Sequence, residues 1–142
     1  MRIVRFEPSH IALLDNFGGQ ETLAGHVKER DLNDLASRGF AVSGFAGERL
    51  IGCAGLIEAT PLRAIAWALF AKHHARDFMA IDRAVRRVFA DCPYRKIEAY
   101  VDPRMAPAMR WADLLGFTLV TFLPLHFPDG SPAAYFVLYP KD

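Results

Sequence analysis

Apolar and polar positions follow two different rhythms along this chain, and the change of rhythm marks its elements. Met1–Phe6 alternates apolar and basic residues around Ile3 and Val4, as a short strand does, and Pro8 closes it. Ser9 is placed to cap a short helix over His10–Asp15, which Phe17-Gly18-Gly19 breaks. A polar helix is predicted over Glu21–Ser37, with Gly39 just past its end. Phe40–Phe45 and Leu50–Glu58 are apolar runs around Ala46-Gly47-Glu48-Arg49, the pattern of a hairpin. After Thr60-Pro61, Arg63–Phe70 is almost wholly apolar and contains Trp67, as expected of a strand covered on both faces.

The period then lengthens. Phe78, Ile81, Val85, Val88 and Phe89 recur at helical spacing, with Asp82, Arg83, Arg86 and Arg87 between them. Asp91-Cys92-Pro93 ends that helix, and Ile97–Val101 reads as a strand. Asp102-Pro103 opens a second amphipathic helix carrying Met105, Met109, Trp111, Leu114 and Leu115, and Gly116 stops it. Phe117–Leu125 and Ala133–Tyr139 are strands on either side of a Pro128-Asp129-Gly130 turn. This order predicts an α/β (α+β) fold, a mixed sheet with helices on both faces. The strand–helix–strand passage around Phe78–Ala90 predicts a parallel pair in mid-sheet. No repeat or linker divides residues 1–142, which read as one domain.

Composition narrows the classes. Apolar types make up 52% of the chain and charged types 23%, enough for a real core and against disorder. The net charge of +1 carries no nucleic-acid footprint, so the Arg83/Arg86/Arg87 strip reads as the solvated face of its helix. Cys53 and Cys92 form no CxxC pair or Cys/His cluster, so no metal site is expected and both thiols read as reduced. No signal-like or membrane-length apolar run appears, which predicts a soluble, cytoplasmic protein.

The segment Ile97–Phe117, IEAYVDPRMAPAMRWADLLGF, resembles the end of a domain of the GNAT superfamily of N-acetyltransferases. In that family a strand ending in Val leads to an amphipathic helix closed by Leu-Gly-Phe, here Val101 and Leu115-Gly116-Phe117. The strand Ala66-Trp67-Ala68-Leu69, the Arg110-Trp111 pair and the Pro128-Asp129-Gly130 turn resemble most the acetyltransferase-like proteins of tailed bacteriophages, some of them internal virion components. The resemblance implies a central sheet of six to seven strands flanked by about four helices, and acetyl-CoA held between splayed fourth and fifth strands. It places cofactor contacts at Leu69, Phe70, Ala71, Lys72, Ala75, Arg76, Asp77 and Phe78.

The family's phosphate motif is Arg/Gln-x-x-Gly-x-Gly/Ala, where glycine lets the backbone approach the phosphates. Lys72-His73-His74-Ala75-Arg76-Asp77-Phe78 has no glycine. Two readings stay open there: phosphate contact by Lys72, His74 and Arg76, or Asp77 as the N-cap of a helix that holds no cofactor. Met105 and Ala112 stand where many relatives carry an Asn and a thiolate-protonating Tyr. The acid role therefore falls to Tyr135 or Tyr139, and the base role to Glu58, His73 or His74. The plainer reading of Glu58 is a solvated strand end, and of the histidines an exposed loop. The aromatics Phe117, Phe122, Phe127, Tyr135, Phe136 and Tyr139 read mostly as core. Two functions follow: an acetyl-CoA-dependent transferase acting on an amine, or a catalytically degenerate structural component partnering other proteins of a phage virion.

Overall fold

The computed structural model describes residues 2–13, 39–70 and 75–141. The predicted helix at 21–37 and the end of the one at 10–15 lie outside them. The described residues form seven strands: β1 (Arg2–Arg5), β2 (Gly39–Ala46), β3 (Arg49–Thr60), β4 (Arg63–Phe70), β5 (Lys96–Val101), β6 (Thr118–Leu123) and β7 (Ala133–Leu138). They form one sheet in the order β1-β2-β3-β4-β5-β7-β6. Among these strands only β4 and β5 run parallel, with helix α1 (Ala75–Asp91) between them in sequence, as the sequence pattern requires. Helix α2 (Ala106–Leu114) links β5 to β6.

Alternation along the strands divides the core into two layers. Leu56, Ala64, Ile97 and Phe136 face α1 and α2, packing with Ile81, Val85, Phe89, Ala112 and Phe117. On the opposite face Phe6, Phe45, Leu50, Cys53 and Leu69 form a smaller cluster that includes part of Trp67. Gly52 leaves room for the ring of Phe70, its cross-strand partner: a Cβ there would stand 2.6 Å from that ring. Gly116 ends α2 at φ +98°, its N–H bonding Asp113 O at 3.0 Å while Phe117 N–H bonds Ala112 O at 3.1 Å.

Four local expectations change. The turn after β1 is a 3-10 helix, Pro8–Leu13, starting one residue before the proposed cap Ser9. Helix α1 begins at Ala75 rather than near Phe78, because Arg76 and Asp77 in its first turn add nothing to the apolar stripe that revealed it. Asp77 is therefore a first-turn residue and not the N-cap. Helix α2 begins at Ala106, with no side-chain cap at Met105; Asp102 instead folds onto Arg104, accepting its backbone N–H at 3.0 Å. Phe122 and Tyr139 are 52% and 53% exposed, because β6 is the sheet edge and Tyr139 lies beyond β7. Among the described residues no helix is long and apolar enough to cross a membrane.

Candidate active site at the split between β4 and β5

The parallel ladder stops half-way. Its pairs run from Arg63–Lys96 to Ala66–Ala99 and no further. Both strands continue past the ladder: β4 stays paired with β3 as far as Gly52–Phe70, β5 with β7 as far as Val101–Ala134. Among the described strands, Trp67–Leu69 has no ladder partner toward β5. Alternate N–H and C=O groups of a strand point to opposite sides, so Trp67–Leu69 turns backbone groups into the split.

On the helix face the split is bordered by three aromatic rings. Trp111 of α2 lies edge-on to Phe70 at 5.2 Å and to Phe78 at 5.3 Å. Its indole N–H donates to Asp82 of α1 at 2.8 Å. The first turn of α1 lies alongside, with the Phe78 ring 6.0 Å from the Phe70 ring, and a helix N-terminus carries partial positive charge. Asp77 lies in that turn and places a carboxylate there.

The opposite face carries a polar cluster. Alternation along Lys96-Ile97-Glu98-Ala99-Tyr100 puts Lys96, Glu98 and Tyr100 on one side. Glu98 is 4% exposed. Its carboxylate accepts Arg63 Nη1 at 2.5 Å and the Tyr135 hydroxyl, and Lys96 Nζ stands 3.8 Å away. Burial opposes the Glu98 charge, but the hydrogen bonds from Tyr135 and Arg63 outweigh it and hold the carboxyl below the usual range. Burial, then the bond to that carboxylate, pushes the Tyr135 hydroxyl well above the usual phenol range. Tyr100, the first β5 residue past the ladder, is cross-strand from Tyr135 and stacks on His126 at 4.8 Å and 11°. Trp67 is the β4 residue just past the ladder on this same face.

Of the residues singled out in the sequence, Leu69 and Phe70 are at the open end of β4, both buried. Arg76, Asp77 and Phe78 are in the first turn of α1, Arg76 exposed, and Ala75 begins it. Ala71, Lys72, His73 and His74 lie outside the described residues. Tyr135 is beside the split. Glu58 is exposed, on the helix face near the closed end, where it accepts the Tyr94 hydroxyl at 2.9 Å; it is not brought to Tyr135. Ala112 is buried and has no hydroxyl to offer. Arg86 does not simply face solvent: it bonds Asp82 at 2.8 Å and Leu114 O at 3.1 Å. Sequence reasoning passed over Glu98 and Arg63. The signal for Glu98 was present, a lone acid at an alternating position in an apolar strand; nothing local announces that Arg63, 35 residues earlier, meets it.

No protein-family model matches the chain, and no curated protein matches it by sequence. Solved structures do match its fold. An aminoglycoside 6'-acetyltransferase type Ii superposes at TM-score 0.69 with 18% identity, over 99% of this chain and 97% of that one. A mutant spermidine N-acetyltransferase from Vibrio cholerae gives TM-score 0.69 and 16% identity, over 99% and 96%. A GNAT-family acetyltransferase from Bacillus anthracis gives TM-score 0.69 and 15%, over 99% and 95%. The seven-stranded mixed sheet of the described residues matches these acetyltransferase structures, and this chain has the GNAT fold.

Proposed function

We propose that the protein is an acetyl-CoA-dependent N-acetyltransferase that acts on an amine. The observation that carries this reading is the split itself: among the described strands Trp67–Leu69 leaves a strand edge open near the first turn of α1. The open edge suits an extended, amide-bearing arm, and the N-terminus of α1 suits a phosphate. Asp77 works against an anion there, and Arg76 in the same turn offsets it. When bound, acetyl-CoA supplies an acetyl group activated as a thioester.

The chain's own groups divide the remaining work. N–H groups of Trp67–Leu69 that face away from β3 can polarise a carbonyl oxygen placed in the split. Tyr135 keeps its proton at Oη, because burial and ionised Glu98 both oppose its loss. Tyr135 Oη donates its one proton to Glu98, which Arg63 keeps charged, so the hydroxyl protonates a leaving thiolate only by exchanging Glu98 for the sulfur. This replaces the hydroxyl that Ala112 lacks with one on β7, reached from the other face of the sheet.

Calorimetry with acetyl-CoA is the test, and saturable binding at micromolar to millimolar cofactor is expected. Absence of heat at millimolar cofactor refutes the reading. A second reading, a non-catalytic component of a phage particle, is favoured by buried Ala112 and by the glycine-free approach to α1. Failure to bind cofactor, together with detection of the protein in purified virions by mass spectrometry, would select it.

A further inference from the structure

Resting on the transferase reading, we infer that the acceptor is an amine that also carries a carboxylate, as an amino acid does, and not a polyamine. The face that an acceptor meets at the split is rich in hydrogen-bond donors and nearly without free acceptors among the described residues. Glu98 is the buried acid there, and its oxygens are already engaged by Arg63, Tyr135 and Lys96. Among the described residues a polycation therefore finds no spare anion at this place.

Donors are left over. Two cations stand over one carboxylate, with the Arg63 side chain 38% and the Lys96 side chain 37% exposed. Arg63 uses one nitrogen on Glu98, and a guanidinium has five N–H donors. Because Arg63 reaches Glu98, its head group lies at the level of the β5 residue one position short of the last ladder pair, Ala66–Ala99. Trp67, one position beyond that pair on the same face, has a buried indole N–H with no partner among the described residues. A buried donor without an acceptor costs stability and marks a place where something else supplies the oxygen. One strand residue spans ~3.3 Å, so Trp67 lies about two residues, roughly 7 Å, along the strands from the level of the Arg63 head group at the closed end of the split, a separation that a small amino acid can bridge. Spermidine offers no such oxygen; a carboxylate offers two.

The experiment uses matched pairs differing only in the carboxylate: alanine and ethylamine, phenylalanine and phenethylamine, lysine and cadaverine. The chain has two tryptophans, so two indole N–H signals are expected from the nitrogen-15-labelled protein, and Trp67→Phe assigns them. In at least one pair the amino acid should shift the Trp67 signal and bind about tenfold or more tightly than its amine partner, the scale of a charge-assisted contact. Arg63→Gln should abolish that preference, and Lys96→Gln, which touches Glu98 only at 3.8 Å, should reduce it with the fold intact. Equal or tighter binding of the amine in every pair, or no movement of the Trp67 signal with any amino acid, overturns the inference. Acetyl-CoA binding is scored separately by calorimetry, so loss of the transferase reading is distinguishable from loss of the carboxylate preference.

Discussion

Trp111 donates its indole N–H to Asp82 at 2.8 Å, which ties α2 to α1 beside the split. The same carboxylate accepts Arg86 Nε at 2.8 Å, and Arg86 goes on to Leu114 O at the end of α2. Ring packing among Phe70, Phe78 and Trp111 brings the helices together; this polar chain fixes how they are turned. One acid therefore sets the wall of the candidate site on the helix face.

Asp82→Ala should leave a half-buried indole donor unpaired and free Arg86. A loss of about 1–3 kcal/mol is expected, with a melting temperature lower by several degrees for a chain of this size. Trp111→Phe should cost less of the polar term while keeping most of the packing. Calorimetric melting checks both, and an unchanged transition in Asp82→Ala would remove the proposed role.

Glu98 and Tyr135 should shape the two ends of the stability–pH curve. The folded Glu98 carboxyl is held below its ordinary value, so its contribution is present above pH ~4.5 and lost as pH falls through the folded value. The folded Tyr135 hydroxyl is held above its ordinary 10.0, so its contribution is present below pH ~10 and lost as pH rises through the folded value. Tyr135→Phe should flatten the alkaline limb and Glu98→Gln the acid limb in urea titrations at stepped pH. With acetyl-CoA and a working acceptor, Tyr135→Phe should also lower kcat by about 10²-fold or more; wild-type kcat in that variant assigns the proton elsewhere.

Gly52→Ala should be destabilising although alanine suits a strand. The new Cβ would lie 2.6 Å from Phe70 Cδ1 and 2.9 Å from Leu69 O, and the oxygen belongs to the backbone. Overpacking of this kind costs about 1–3 kcal/mol. Urea midpoints read the loss, and the displaced Phe70 ring should weaken acetyl-CoA binding in parallel. Full stability would mean that the ring yields freely.

Neither thiol should react in the native protein. Cys53 is 1% exposed and Cys92 8%. Burial, only partly opposed by the bond to Ser43, pushes the Cys53 thiol up to about 11. Ser43 Oγ joins Cys53 to His10 at 2.7 Å, but Ser43 is fully buried, so this Cys–Ser–His chain braces β2 and β3 against the 3-10 helix and presents no nucleophile. A thiol reagent at pH 8 should label neither cysteine until denaturant is added, and both afterwards; rapid native labelling would contradict the packing.

The site residues named from the sequence rest mostly on the family resemblance. It puts Leu69 and Phe70 at the end of β4 and Glu58 where a base can stand, yet the partner of Glu58 is Tyr94, which no local pattern joins to it. One of the two readings of Asp77 makes it a cap, because the apolar stripe of α1 starts late.

The chain by itself determined the alternation of periods and hence the order of elements, the parallel β4–β5 pair, and the stop at Gly116. These depend on side-chain direction and backbone preference within a few residues, which are written in the local sequence. Only the tertiary structure decided where the β4–β5 ladder ends, which residues face the opening, and that Arg63, Glu98 and Tyr135 meet. Those contacts join residues 35 and 37 positions apart. They depend on the register between strands, which the packing of the whole sheet sets and no single segment encodes.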